Sequence, residues 1–256
     1  MAEQNQTTSE NLGKVARFYK TEGIVLRSMP TLESDRLITL LSPELGKLRI
    51  MVRGARKVTS KLGGHLDVLN RVVINFSEGR TFYLATGAQV QEAFGSIKKD
   101  LDRTAMALYL SELTDKLTPE GQAQPPVYSL LVKAFRYINE IGLNPIIARY
   151  TELHLLAESG YLPELNQCVQ CQREIISGPY GYSPGAAGII CRSCFSPAAG
   201  YFPLTQNGLK VLRFLAANTF SEACRLQINL SLERELQNLI GASVQYILEH
   251  ELATAS

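Results

Sequence analysis

Between Phe18 and about Glu92 the apolar residues come in short runs broken by turn-forming residues, which predicts β-strands. The runs are Gly23-Ile24-Val25-Leu26-Arg27, then Arg36-Leu37-Ile38-Thr39-Leu40-Leu41, then Lys47-Leu48-Arg49-Ile50-Met51-Val52-Arg53. Ser42-Pro43-Glu44-Leu45-Gly46 stands between the last two, with Pro and Gly placed as a hairpin connection needs them. Arg71–Phe76 and Thr81–Ala85 flank Ser77-Glu78-Gly79-Arg80 and predict a second hairpin. Five strands in so short a stretch suit a small closed barrel, and both an OB-fold and an SH3-like barrel fit the pattern.

After Gly95 the apolar period changes to that of helices. Helices are expected over Asp102–Leu117, Val127–Ile141, Pro145–Ser159, Thr205–Asn218 and Leu232–His250, with Gly142 and Gly160 as C-terminal caps of the second and third. Residues 1–16 are polar and too poor in apolar side chains to order themselves, so they are expected to form a disordered tail. The expected organisation is an α+β chain with the tail at 1–16, a five-stranded barrel domain at 17–95 and a helical domain at 96–164. A cysteine module at 165–200 and C-terminal helices at 201–256, packing back on the helical domain, complete it.

The chain has 256 residues, 45% of them hydrophobic and 20% charged, which is ordinary for a globular protein. Its longest apolar runs, such as Ile146-Ile147-Ala148, are far too short to cross a bilayer. The polar N-terminus lacks a secretory signal, so the expected location is cytoplasmic, without a membrane partner. Five cysteines in a reducing compartment argue for metal binding or isolated thiols over a disulfide framework.

Four of those cysteines form two C-x-x-C pairs, Cys168/Cys171 and Cys191/Cys194, with 19 residues between the pairs. This is the spacing of a four-cysteine zinc site, because each tight turn aims two sulfurs at one ion. One Zn2+ per chain is therefore expected, structural in role, since a closed sulfur shell leaves no place for a reacting water. The intervening Gly178, Gly181, Pro184, Gly185 and Gly188 suit a short hairpin. Gln172 and Phe195 stand where many zinc knuckles carry glycine. Cys224 is expected to be a core thiol, and His65, His154 and His250 lack ligand spacing.

Net charge is only +2, so any affinity for nucleic acid must come from how charge is distributed. Between Gly46 and Leu66 stand six basic residues, Lys47, Arg49, Arg53, Arg56, Lys57 and Lys61, and no acid. Alternation along the third strand puts Lys47, Arg49 and Arg53 on one face. Arg53-Gly54-Ala55-Arg56-Lys57 then runs into a loop that its glycine makes flexible. Such a stripe fits a phosphate backbone, although a solvated barrel face has the same composition. The chain has no G-x-x-x-x-G-K-S/T loop, no G-x-S-x-G elbow and no H-E-x-x-H helix, so no enzymatic activity is expected. The pair Glu33 and Asp35 beside Arg36 is too slight to indicate catalysis.

Three segments resemble the RecO family of bacterial DNA repair proteins. They are Gly23–Arg27, Glu33–Ser42 and Gly46–Lys57, the last matching the family stretch G-K-(x)5-R-G-A-R-K/R. The similarity continues through Tyr150–Leu156, Gly160-Tyr161-Leu162-Pro163 and the cysteine module. The resemblance implies an N-terminal OB-fold, a helical domain and a zinc-binding insertion, working without nucleotide hydrolysis. It further implies binding to single- and double-stranded DNA and annealing of complementary strands. With RecR, it implies help in loading RecA on strands coated by single-strand-binding protein, within a RecFOR-type pathway on the bacterial nucleoid. Arg36, in the second segment, joins the six basic residues as an expected DNA contact. Two other readings stay open: a zinc-ribbon transcription or replication factor that reads duplex sequence, and a protein–protein adaptor.

Overall fold

A computed structural model describes residues 17–31, 34–60, 62–176, 178–196 and 200–254. The expected tail at 1–16, Glu33 and Lys61 lie outside the described residues. The first ordered element is a long strand, β1 (Phe18–Thr31), followed by β2 (Asp35–Ser42), β3 (Gly46–Val52), β4 (Arg71–Ser77) and β5 (Tyr83–Glu92). β1 extends well beyond Gly23–Arg27 because it serves two neighbours. Its first half pairs antiparallel with β4, from Phe18↔Ser77 to Ile24↔Arg71, and its second half with β2, from Ile24↔Leu41 to Thr31↔Asp35. The register shifts between Val25 and Arg27, the bulge at which the strand turns from one partner to the other. Only the middle of β1 is apolar on both faces, so only the middle was conspicuous in the sequence.

β2 and β3 form the expected hairpin, with Gly46 at φ +69°, a conformation that costs glycine little. β4 and β5 form the second hairpin. The barrel closes in the order β1-β2-β3-β5-β4, through a parallel pairing of β3 with β5 at Ile50↔Tyr83 and Met51↔Leu84. That closure makes it an OB-like barrel and removes the SH3-like alternative. Ile38, Leu40, Ile50, Val72, Ile74 and Phe76 fill its interior, and Ala55 and Leu66 of the β3–β4 connection plug it.

The rest of the chain builds a second core. After the short α1 (Gly95–Lys98) come α2 (Leu101–Leu117), α3 (Pro125–Glu140) and α4 (Pro145–Glu158). Asp100 caps α2 by accepting from the amides of Asp102 and Arg103, both at 3.0 Å. Asn144 caps α4 through the Ile146 amide, with Pro145 in the first turn. Gly142 and Gly160 take positive φ past the ends of α3 and α4, as their positions predicted. A three-stranded sheet, β6 (Tyr180–Ser183), β7 (Gly188–Ile190) and β8 (Phe202–Leu204), is ordered β7-β6-β8. It leads into α5 (Gln206–Ala217), a single turn α6 (Phe220–Ala223) and the long α7 (Leu230–Thr254).

This core spans helices and sheet together. Leu131, Phe135, Ile147, Leu212 and Leu236 pack with Leu165, Ile175, Tyr182 and Ile189 of the cysteine module, and with Ile24, Leu26 and Leu41 from the outside of the barrel. The module therefore has no core of its own. Among the described residues no helix is long and apolar enough to cross a membrane.

Candidate metal centre and nucleic-acid surface

Two turns bring the four module cysteines together. In the first, the Gln172 amide donates to the Cys168 carbonyl at 2.8 Å and the Cys168 amide to Arg173 O at 2.9 Å. In the second, the amides of Cys194 and Phe195 both donate to the Cys191 carbonyl, at 3.0 and 2.8 Å. Gln172 takes φ +59°, so the knuckle adopts the left-handed conformation that glycine favours even without glycine. The β6–β7 hairpin sits between the two turns, as the glycine-rich spacer suggested. Two of those glycines are needed for close packing. A Cβ on Gly188 would lie 2.6 Å from Val169 Cγ1 and 2.8 Å from Glu164 O, and one on Gly181 would lie 2.4 Å from Phe195 Cδ2. The turns thus press on the hairpin from both sides.

The four sulfurs all lie within 4.8 Å of one another, and Cys171 Sγ and Cys191 Sγ are 3.7 Å apart. A tetrahedral ion bonded to sulfur at about 2.3 Å requires edges of about 3.8 Å, whereas a disulfide requires about 2.05 Å. The spacing fits an ion. Cys168 is buried and the other three are partly exposed. Burial works to raise the Cys168 thiol, but the amides of Cys191, Cys171 and Gln170, with the Cys171 thiol, outweigh it and bring it down to about 6. The Cys191 amide lies 3.3 Å from its sulfur. Hydrogen bonds to Cys171 and Cys191 foremost push Cys194 up to about 12. The two shifts run in opposite directions because the sulfurs share hydrogen bonds at close range, and a bound cation would take the place of those protons.

The remaining candidates stay apart from this cluster. Cys224 ends α6, where burial pushes its thiol up to about 11. His154 stacks on Tyr150 at 4.0 Å and its Nε2 lies 3.0 Å from Leu215 O. Both placements are structural.

The basic residues divide into two groups. Arg53, Arg56 and Lys57 are exposed and have no ion pair among the described residues. Lys47, Arg49 and Arg36 have acidic partners from outside the stripe. Lys47 Nζ lies 3.1 Å from Asp115 Oδ1 and donates to Asp115 O, with its side chain 11% exposed. Arg49 Nη2 lies 2.5 Å from Glu120 Oε1, both half-exposed, and Arg36 Nη1 lies 3.2 Å from Asp67 Oδ1. These acids come from 31 to 71 residues away in the chain, so a scan of local charge could not pair them.

The basic loop is also more firmly held than its glycine suggested. The Gly54 amide donates to Asp35 Oδ1 at 2.8 Å, and the Arg56 amide donates to Ser34 O at 2.9 Å. Buried Ala55 seats the loop on the barrel interior, and Gly63 packs so tightly that a Cβ would meet Ala55 O at 2.3 Å. The loop is pinned at its base, and only its side chains reach outward. Asp35, dismissed as a catalytic acid in the sequence, is the residue that pins it.

Comparison with known proteins agrees with this architecture. The family profile described as Recombination protein O N terminal matches residues 16–94, and Recombination protein O C terminal matches residues 98–255. A DNA repair protein RecO of Dehalococcoides mccartyi is 36% identical over 233 residues, 91% of this chain and 92% of that protein. The proteins of that name from Moorella thermoacetica and Roseiflexus sp. are 34% identical over 236 residues and 31% identical over 235. The alignments cover 91% and 92% of this chain, and 88% and 83% of those relatives.

Proposed function

This chain belongs to the RecO family of DNA repair proteins, and from that premise we propose that it is a DNA-binding recombination mediator. On this reading it binds single- and double-stranded DNA and anneals complementary strands. With RecR it helps load RecA on strands covered by single-strand-binding protein, on the nucleoid in the bacterial cytoplasm. The observation that carries the reading is the pinned loop with Arg53, Arg56 and Lys57 exposed on it. Cations on a fixed backbone lose little conformational freedom on meeting phosphates, and each phosphate they neutralise releases counterions. Such contacts carry no sequence information, which suits a protein that must act on any strand. Lys47, turned inward on Asp115, serves to tether the barrel to α2.

The metal of the module is, on the same reading, one Zn2+ held by Cys168, Cys171, Cys191 and Cys194, because soft thiolates at this spacing suit it. Its part is to fix the two turns. Annealing then needs only charge neutralisation and strand positioning, with no nucleotide turnover, and the reading is of a protein that is not an enzyme.

The test is a salt titration of single-strand binding by the wild type and by the Arg53→Ala/Arg56→Ala/Lys57→Ala variant. Three phosphate contacts contribute a log–log slope of about −2 for single strands, which the variant should lose, whatever the sequence of the strand. Its melting midpoint should change little, since exposed charges contribute about 0–1 kcal/mol each. Unchanged affinity and slope in a folded variant would reduce the loop to a solvated face. Strong preference for one duplex sequence in the wild type would favour a transcription or replication factor, and no binding to any DNA would favour an adaptor.

A further inference from the structure

The barrel seam beside the basic face is covered by a segment from the helical half of the molecule. β3 pairs with β5 only at Ile50 and Met51, which leaves its first half, Gly46–Arg49, without a strand on that side. The segment after α2 fills the gap. Lys47 and Glu120 form a parallel bridge, and the Gly121 amide donates to Lys47 O at 3.0 Å. Gln122 comes so close that a Cβ on Gly46 would lie 2.1 Å from Gln122 O. The end of α2 and this strap each bring one carboxylate to the basic stripe, with different consequences. Asp115 holds Lys47 where only 11% of the lysine side chain is exposed. Glu120 holds Arg49 at 2.5 Å with both side chains 52% exposed, and both line a groove of about 530 Å³ together with Glu78, Thr81, Phe82 and Tyr83.

We propose that Glu120 is a latch that imitates a phosphate, holding Arg49 in the free protein and yielding it to the DNA backbone. The inference rests on the DNA-binding reading above and adds to it a residue that sets affinity. Arg49 presents a planar fork that pairs a carboxylate or a phosphate equally well, so the two compete for the same donors. The strap backbone is fixed by its hydrogen bond and by the contact at Gly46, but the exposed Glu120 side chain can leave by changing rotamer. Lys47 has no such freedom, because Asp115 and the lysine are both largely covered. Until a strand arrives, Glu120 cancels the charge of Arg49 and weakens the attraction of the face for polyanions. Once a phosphate takes its place, Arg49 extends the track of Arg53, Arg56 and Lys57 toward the groove.

The test measures binding of a labelled thymidine oligonucleotide at low salt to wild type, Glu120→Gln, Arg49→Ala and the double variant. Glutamine keeps the size of the side chain and removes its charge, and thermal melts check that each variant is folded. Glu120→Gln should tighten binding by up to about fivefold, the size of one exposed ion pair. In the Arg49→Ala background the same change should bring no gain. Binding that is unchanged or weaker in Glu120→Gln would overturn the latch, and so would an equal gain without Arg49, since that would be a general charge effect. The Arg53/Arg56/Lys57 alanine variant, measured alongside, separates the two levels. Loss of affinity there with no effect of Glu120→Gln removes the latch alone, while no effect in either removes the whole face as a DNA surface.

Discussion

Arg71 ties three elements together through one guanidinium. Nη2 donates to Glu22 on β1 at 2.8 Å, Nη1 to Glu92 on β5 at 2.6 Å, and Nε to the Tyr128 hydroxyl on α3 at 3.0 Å. Arg136 of α3 donates to both oxygens of the same Glu92. Replacing Arg71 by Met leaves Glu22 without its cation and the Tyr128 hydroxyl without its donor, while Arg136 still holds Glu92, and should cost about 1–3 kcal/mol in urea denaturation. The pH dependence has a definite sign. Hydrogen bonds from Arg136, helped by Arg71 and opposed by burial, hold Glu92 below its ordinary value of 4.5. Its contribution to stability is therefore present above that value and is lost as pH falls through the lowered folded value. Glu92→Gln should show a shallower loss of stability below about pH 4.5 than wild type, and an identical acid limb would show that this network does not couple folding to protons.

Among the elements, the first cysteine turn and the β6–β7 hairpin depend on each other at Gly188. Its missing side chain lets Val169 and the Glu164 carbonyl approach, and the Val169 amide donates to Ile189 O at 3.0 Å across the same contact. Gly188→Ala should cost about 1–3 kcal/mol by overpacking. The first turn would move off the hairpin, so metal retention against a competing chelator should fall as well. Full retention with an unchanged melting midpoint would mean that the hairpin adjusts freely. The cysteine spacing and the glycines of the spacer made this element legible in the sequence. β8, which completes its sheet, was not legible, because three residues, Phe202-Pro203-Leu204, are too few to show a period.

In the whole molecule, the module is built into the helical core while the barrel interior is separate from it. Tyr182 of β6 hydrogen-bonds Ser243 of α7 at 2.7 Å in a buried position, and Arg213 of α5 donates to Leu165 O at 2.9 Å. Chelating the proposed ion should therefore loosen the described residues from about 167 to 196 together with α5 and α7. The strands of the barrel should keep their amide protection, because their interior side chains belong to a different cluster. Hydrogen exchange before and after chelation reads this directly. Loss of protection in β1–β5 at the same rate would mean that the two halves unfold as one unit.

The sequence by itself determined what depends on neighbours along the chain. Apolar period separated the strands before Gly95 from the helices after it, the capping glycines Gly142 and Gly160 bounded two of the helices, and the C-x-x-C turns paired the cysteines two by two. The tertiary structure alone decided what depends on residues far apart in the chain. It closed the barrel through β3 and β5, packed the cysteine module into the helical core, and turned Asp35 into the anchor of the basic loop. It also set Asp115 and Glu120 against Lys47 and Arg49, so that a stripe uniformly positive in sequence is partly neutralised in space. The physical reason is range. Backbone preferences and turn chemistry act over a few residues, whereas ion pairing and packing act between whatever surfaces the fold brings into contact.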